Sequence, residues 1–457
     1  MKRLATILLI SFLSLPISVF SQSFPVTVIH NACEECINIV ILADGYTSNE
    51  LSKFIKDAQN VTNGFFKLSP YSNYKNYINV YGISVPSNIS GASMDPDNLI
   101  DNYFGSSYWA WGIERLLYSY RTSRIQNVLA SSFPTYDQVA ILVNHSKDGG
   151  SGGDVSTIAV NSESVDVLLH ETGHSFVDLI DEYWAGAEHA QEGINMTQVT
   201  NRNTVRWKNW YGDNGIGIYP HKESPTWYRP HQNCIMRELE NPFCSVCAEA
   251  TVERIHDMVS PLVAIHDMVP PLGTYRPGYL NITPEQLPLK FSLDLLAPIP
   301  YTLDRAWVLN GSSFKKNTDS VSIKRSDLNL GENTLSVSIE DKSPFLRIDN
   351  HQSIHTYSVS WTINMSTGIT GLSRKTSHLH VDLFPNPAAE LINLRINSAS
   401  EGDIKVDICG LNGRVLKSAV LVDKTVSLSL ENIPQGGYIV NFYQNNNLVS
   451  SRTIVKK

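Results

Sequence analysis

One five-residue run limits the possible folds of this 457-residue chain more than any other: His170-Glu171-Thr172-Gly173-His174. Val165, Val167, Leu168 and Leu169 precede it, and Phe176, Val177, Leu179 and Ile180 follow. That apolar periodicity predicts a helix, with Ser162 or Ser164 placed to cap it. A helix sets the two imidazoles four residues apart on one face, where both can reach one Zn2+ at about 2.0–2.1 Å. Glu171 then stands beside the metal as a base for water. A buried helix whose histidines bond only to backbone is the plainer alternative. The apolar flanks and the intact Glu171 favour the metal.

A catalytic zinc needs a third protein ligand and an open position. In the pattern HExxHxxGxxH a glycine ends the helix and the chain turns back to the metal. Here Val177 occupies the glycine position and Ile180 the ligand position, so that pattern fails as written. No later helix carries the acidic signature of the other common solution. Asp181 and Glu182 follow one residue further on. In an unbroken helix Asp181 would lie about 10 Å along the axis from His174, too far to bind. Ligation by Asp181 therefore requires the helix to end near Val177 to Leu179. Glu182 is the next candidate, suited to holding the turn, and Asp178 and His189 are further ones.

Compartment and class come from the rest of the chain. Met1-Lys2-Arg3, the apolar run Leu4 to Leu15 and Val19-Phe20-Ser21 read as a signal peptide cleaved after Ser21. The run is shorter than the roughly 20 residues of a membrane span, so the mature chain is expected to be exported without a transmembrane segment. The 36 Lys+Arg and 44 Asp+Glu give a formal charge of −8 with no concentrated basic face, which argues against nucleic acid as a partner. Six cysteines suit an oxidising compartment. Cys33-x-x-Cys36 and Cys244-x-x-Cys247 could build a four-thiolate zinc site, but export favours disulfides. Cys409 reads as a buried free thiol.

The length suggests several domains. Residues 22–258 alternate strand and helix: strands at Ile37 to Leu42, Tyr77 to Val85, Val139 to Val143 and Ser156 to Val160, and helices from Leu51 and over Gly112 to Leu129. Gly149 to Gly153 lacks the ending of a phosphate cradle and reads as a flexible turn. His256-Asp257-Met258-Val259 recurs as His266-Asp267-Met268-Val269, read as a linker with a local duplication. Residues 259–366 have the rhythm of an Ig-like β-sandwich. Residues 367–378 form a Ser/Thr/Gly-rich join, and 379–457 a last strand-rich block.

The zinc helix followed by Leu179-Ile180-Asp181-Glu182-Tyr183 resembles the IgA-peptidase family of bacterial zinc metallopeptidases, a metzincin-like group. Similar stretches are Ile39 to Thr47, Asn76 to Tyr81, Trp207-Lys208-Asn209-Trp210, Tyr228-Arg229-Pro230, Cys234-Ile235-Met236-Arg237 and Phe243 to Cys247. The resemblance implies an α/β metzincin-like catalytic domain over 22–258 with a sandwich behind it. It also implies zinc held by His170, His174 and Asp181, Glu171 as the catalytic base, and Met236 in a turn beneath the metal. Tyr228 and Arg229 would then hold the substrate carbonyl. The aromatic group Trp207, Trp210, Tyr211, Tyr219 and Trp227 suits a specificity pocket or a core equally. Leu383-Phe384-Pro385-Asn386-Pro387-Ala388 and the ending Ile454-Val455-Lys456-Lys457 resemble the sorting domain of the type IX secretion system of Bacteroidetes, a small β-sandwich.

The expected protein is thus multidomain: a secreted or surface-anchored zinc endopeptidase, a hydrolase acting on proteins or peptides and delivered by the type IX machinery. The family name points to immunoglobulin A, but a name given for one member transfers poorly to another. The competing class is an adhesin that keeps a metallopeptidase fold without catalysis, and the intact Glu171 speaks against it.

Overall fold

The structure is a computed structural model that describes residues 22–224, 226–268, 278–366, 381–396, 404–410, 415–421, 425–444 and 447–457. The leader expected over residues 1–21 and the join expected at 367–378 lie outside the described residues. The chain divides into two compact units. The first comprises residues up to 276, 289–322 and 335–360, and the second 277–288, 323–334 and 361–457. The order is mixed α/β first, then several β-sheets.

The first unit is built on a six-stranded sheet. Its strands are β1 (Val26–His30), β2 (Ile37–Asp44), β3 (Ile78–Ile83), β4 (Gln138–Val143), β5 (Gly150–Ser151) and β6 (Ser156–Ala159), in the order β1-β3-β2-β4-β6-β5. The inner strands β3, β2, β4 and β6 are parallel and β2 is buried on both faces, as a run such as Ile39-Val40-Ile41-Leu42 requires. Three helices matter here: α1 (Leu51–Phe65), α2 (Thr122–Ser132) and α3 (Ser164–Val177). A fourth, α4 (Ser245–Met258), packs against α3. One core joins Phe54, Ile41, Leu168, Phe176, Trp207 and Val252.

Three expectations need correcting. The second helix starts only at Thr122, because Trp109, Trp111 and Gly112 have φ of 61°, 50° and 80°, a left-handed backbone that no right-handed helix continues through. Ser106–Ser107 and Tyr118–Ser119 pair instead as a short antiparallel ribbon. Residues 149–153 are not merely a turn, since Gly150–Ser151 forms one of the two antiparallel edge strands of the large sheet. The duplicated segment is not a linker: His256-Asp257-Met258 ends α4, whereas His266-Asp267-Met268 lies on a strand, Leu262–Met268, paired with Leu289–Leu295.

The first unit continues into antiparallel strands Leu303–Leu309 and Ser312–Lys316 and the part of Gly331–Asp341 from Leu335 on, with Trp307 fully buried. In the second unit, a three-stranded sheet (Val381–Phe384, Leu391–Ile396, Thr425–Ser429) and a four-stranded sheet share one core. Ile392, Leu394, Val406, Val440 and Phe442 fill it, and Cys409 is a buried free thiol on the larger sheet. No helix among the described residues is long and apolar enough to cross a membrane.

Candidate metal centre

The local chemistry of α3 builds the site. Ser164 Oγ accepts from Asn161 N–H and donates to the Ala159 carbonyl, fixing the entry from β6. The helix stops at Val177. Asp178 takes a left-handed φ of 59°, its N–H donates to the His174 carbonyl, and Leu179 N–H donates to that of Gly173. The chain reverses there, as the return of Asp181 to the histidines demands. The reversed turn is then clamped by Asn195, whose side chain accepts from Ile180 N–H and donates to the Ile180 carbonyl.

His170 and His174 each have one ring nitrogen committed. His170 Nδ1 lies 2.8 Å from the Ile235 carbonyl, and His174 Nδ1 2.6 Å from that of Leu179. A carbonyl only accepts, so both Nδ1 atoms carry hydrogen and both neutral rings present a lone pair at Nε2. These lone pairs meet each other at 3.2 Å, and each meets Asp181 Oδ1, at 3.1 Å from His170 and 3.2 Å from His174. Asp181 Oδ1 is buried and, facing Nε2 atoms that carry no hydrogen in the neutral rings, receives no hydrogen bond from them. Three acceptors in a triangle repel unless a cation lies among them. Ligand atoms about 2.0–2.1 Å from a tetrahedral ion are about 3.3 Å apart. The triangle fits a divalent metal.

Protons are the competing cation. Burial works to lower the His174 pKa, but the hydrogen-bonding position and charge of Asp181 outweigh it and raise it to about 9. His170 is raised in the same way. Burial of Asp181 is likewise outweighed by the two imidazoles, which hold its carboxyl well below the usual range. Glu171 is the opposite case, since burial pushes its carboxyl up and the neighbouring histidines only partly offset this.

Met236 is fully buried beneath α3: a Cβ on Gly173 would come within 2.6 Å of its Sδ. The same turn supplies the Ile235 carbonyl that holds His170, and the Met236 carbonyl accepts from Glu182 N–H at 2.7 Å. The centre opens into a cleft of about 830 Å³ whose lining includes Arg115, Gly150, Gly152, Glu171, Tyr183 and Arg237. Gly152 lies directly on Glu171, where a Cβ would come within 2.0 Å of Oε2.

The other candidates lie elsewhere. Tyr228 and Arg229 do not line this cleft. Tyr228 pairs with Pro220 in a two-residue ribbon, and the buried Arg229 donates to the carbonyls of Glu182 and His231. Tyr183 and Arg115 take the cleft positions instead: Tyr183 stacks parallel to His170 at 6.5 Å, and Arg115 faces Glu171 and Tyr183 electrostatically. Asp178 is spent on the helix end, and His189 is an exposed rim residue. Glu182 points away from the histidines into a group of buried cysteines. Trp207 and Trp210 are core residues bordering a different pocket. Asn195, Arg115 and the Gly152 contact had no signal in spacing or composition.

Residues 29–217 match the family model described as IgA Peptidase M64, and residues 382–457 match that for a secretion system C-terminal sorting domain. No curated protein matches. Among solved structures, the chain is similar to the β-glucuronidase of Parabacteroides merdae at 10% identity and a TM-score of 0.17, covering 50% of this chain and 28% of that one. Dimeric latent PorU from Porphyromonas gingivalis gives 14% identity over 43% of this chain and 20% of that one, with a TM-score of 0.15. Fibronectin(III)-like modules of Clostridium thermocellum CbhA give 11% identity, 42% and 92% coverage and a TM-score of 0.15. The chain thus spans under a third of the glucuronidase, and at these TM-scores none of the three carries an argument.

Proposed function

From an IgA Peptidase M64 domain over residues 29–217 and a secretion-system sorting domain over 382–457, we propose that this chain is an exported zinc-dependent endopeptidase. The observation that carries the reading is the triangle of His170 Nε2, His174 Nε2 and Asp181 Oδ1, with both outer ring nitrogens fixed by carbonyls. Two imidazoles and a carboxylate suit Zn2+ and leave a fourth position open toward the cleft. When bound, the ion supplies Lewis acidity for a scissile carbonyl and lowers the pKa of water.

The chain's own groups do the rest. Glu171, its carboxyl raised by burial, takes the proton from the attacking water and delivers it to the leaving amine. Tyr183 and Arg115, which line the cleft, would steady negative charge on the carbonyl oxygen, the role expected of Tyr228 and Arg229, which do not line it. The edge strand Gly150–Ser151 borders the cleft beside Glu171 and is held on its outer side by the Leu116–Leu117 segment, so it forms a fixed wall along which an extended peptide could lie. A cleft of about 830 Å³ along that wall suits an internal peptide bond of a protein substrate. We assign the fold of the first domain as metzincin-like and the strands of 259–366 as Ig-like, and the terminal domain as the address read by the type IX machinery, giving a secreted or surface location.

Glu171→Gln is the test. The variant should keep its zinc and lose roughly 10³-fold or more in kcat on a casein or peptide substrate, because ligation needs the imidazoles and proton transfer needs the carboxylate. Undiminished turnover in the zinc-loaded variant refutes the mechanism, and absence of turnover in the wild type favours a binding module. Immunoglobulin A belongs in the substrate panel on the strength of the family name alone.

A further inference from the structure

Glu182, Cys234, Cys244 and Cys247 converge in the core directly behind the Asp181 turn, and the mechanism uses none of them. Glu182, Cys234 and Cys247 are fully buried and Cys244 nearly so. Cys247 Sγ lies 3.8 Å from Cys234 Sγ, 3.6 Å from Cys244 Sγ and 3.3 Å from Glu182 Oε1. None of the three cysteines is in a disulfide, whereas Cys33 and Cys36 are bonded to each other. The four-thiolate combination of the two Cys-x-x-Cys pairs is therefore not formed.

We propose that these four side chains are a closed site for a second zinc ion. Sulfur atoms at about 2.3 Å from a tetrahedral zinc are about 3.8 Å apart, and a sulfur and a carboxylate oxygen about 3.5 Å. The spacings here match those edges. Hydrogen bonds among three thiols and a carboxyl explain the cluster less well, since Glu182 Oε2 is buried with no partner. The surroundings suit anionic ligands. Cys244 is the N-cap of α4 and Cys247 lies in its first turn, where the helix dipole favours thiolates. Cys244 N–H donates to Cys234 Sγ at 3.4 Å, and Asn195 Nδ2 donates to Glu182 Oε1 at 3.1 Å. The Arg229 guanidinium, bonded to the Glu182 carbonyl, brings a buried positive charge to the same place. Four protein ligands and no cleft make this a structural site. Its work is to hold the Asp181-Glu182 turn against the Cys234–Met236 turn, the two pieces that flank the histidines.

The site is independent of the proposed catalysis and is tested apart from it. Full-length protein, exported by its host and purified without chelator, should carry two zinc ions per chain, and the double variant His170→Ala, His174→Ala should carry one. After exchange of that ion for cobalt, the double variant should show a sulfur-to-cobalt charge-transfer band in the near ultraviolet, which no histidine–carboxylate site produces. Peptide mapping of the unmutated protein, alkylated after denaturation in chelator without reductant, should find all three cysteines modified. This readout needs no variant to fold. A disulfide between any two of the three, or a double variant without metal or without the thiolate band, overturns the proposal. Loss of the peptidase reading alone would leave these outcomes unchanged.

Discussion

Asp181 and Glu182 are adjacent in sequence and face two different clusters, and the contrast separates work from support. On one side two imidazoles and a carboxylate oxygen meet at a cleft of about 830 Å³. On the other, three thiols and a carboxylate meet where solvent does not reach. The ligand chemistry divides accordingly. Imidazole and carboxylate leave a metal Lewis-acidic and exchangeable, whereas thiolates donate strongly and close the shell. Openness, more than ligand count, is what distinguishes the site that can act from the one that can only hold.

The sharpest way to break this contrast is chelation. Brief treatment with a hydrophilic chelator should abolish peptidase activity completely while the melting temperature stays nearly constant, because only the open site exchanges quickly. Parallel loss of fold and activity, followed by circular dichroism, would mean that the two sites are not distinct in kind. Cys247→Ser should do the reverse. It should lower stability by about 4 kcal/mol, as loss of a structural metal does, and reduce activity only in proportion to the unfolded fraction. Denaturant melts at matched zinc concentration measure it.

Gly152→Ala probes the open side without touching a ligand. A Cβ there would meet Glu171 Oε2 at 2.0 Å, and the carboxylate must swing away from its working position. A fall in kcat of about 10²-fold is expected, with zinc content and melting temperature unchanged. An unimpaired variant would show that Glu171 has more freedom than its contacts suggest.

The smallest expected effect is on pH. In chelated protein the His174 pKa is raised to about 9 by Asp181 against the opposing effect of burial, from an ordinary value near 6.5. The associated stability is fully present below pH about 6.5 and lost as pH rises toward 9. Asp181, held low, contributes above its ordinary range throughout that window and does not alter the slope. The chelated protein should thus weaken by about 2.5 kcal/mol across it. The zinc-loaded protein should not, since metal binding gains as the imidazoles lose their protons. Paired thermal melts at several pH values distinguish the two, and His174→Ala should flatten the first curve.

Sequence made the open cluster readable because its chemistry is local. His170, Glu171 and His174 lie within five residues, and the length of an unbroken helix shows that α3 must stop before Leu179 if Asp181 is to return. The helix does stop at Val177, through an aspartate in a left-handed conformation that no glycine advertised. The closed cluster was hidden because Glu182, Cys234 and the Cys244–Cys247 pair come from three separate segments, and pairing them needs the fold. Arg229 shows the converse: a residue singled out by motif can face inward, toward the Glu182 carbonyl, and not line the cleft. The repeated His-Asp-Met segment is helix once and strand once, which shows how completely surroundings can override a short sequence. The edge strand Gly150–Ser151 was likewise illegible, since glycines carry no strand preference and its pairing is wholly tertiary.

One peptide unit joins Asp181 to Glu182, and that short linkage has a thermodynamic consequence. A displacement of the backbone that improves one carboxylate's reach alters the other's, so occupancy at either place should change affinity at its neighbour. Linkage is reciprocal: if filling the buried site tightens zinc at the cleft by some factor, filling the cleft tightens the buried ion by the same factor. The Glu182 N–H bond to the Met236 carbonyl, 2.7 Å long, would transmit both directions, because Met236 lies between Cys234 and the face of the helix that carries the histidines. A chain that acquired its metals in two steps would then load cooperatively, and a partly metallated form would be scarce.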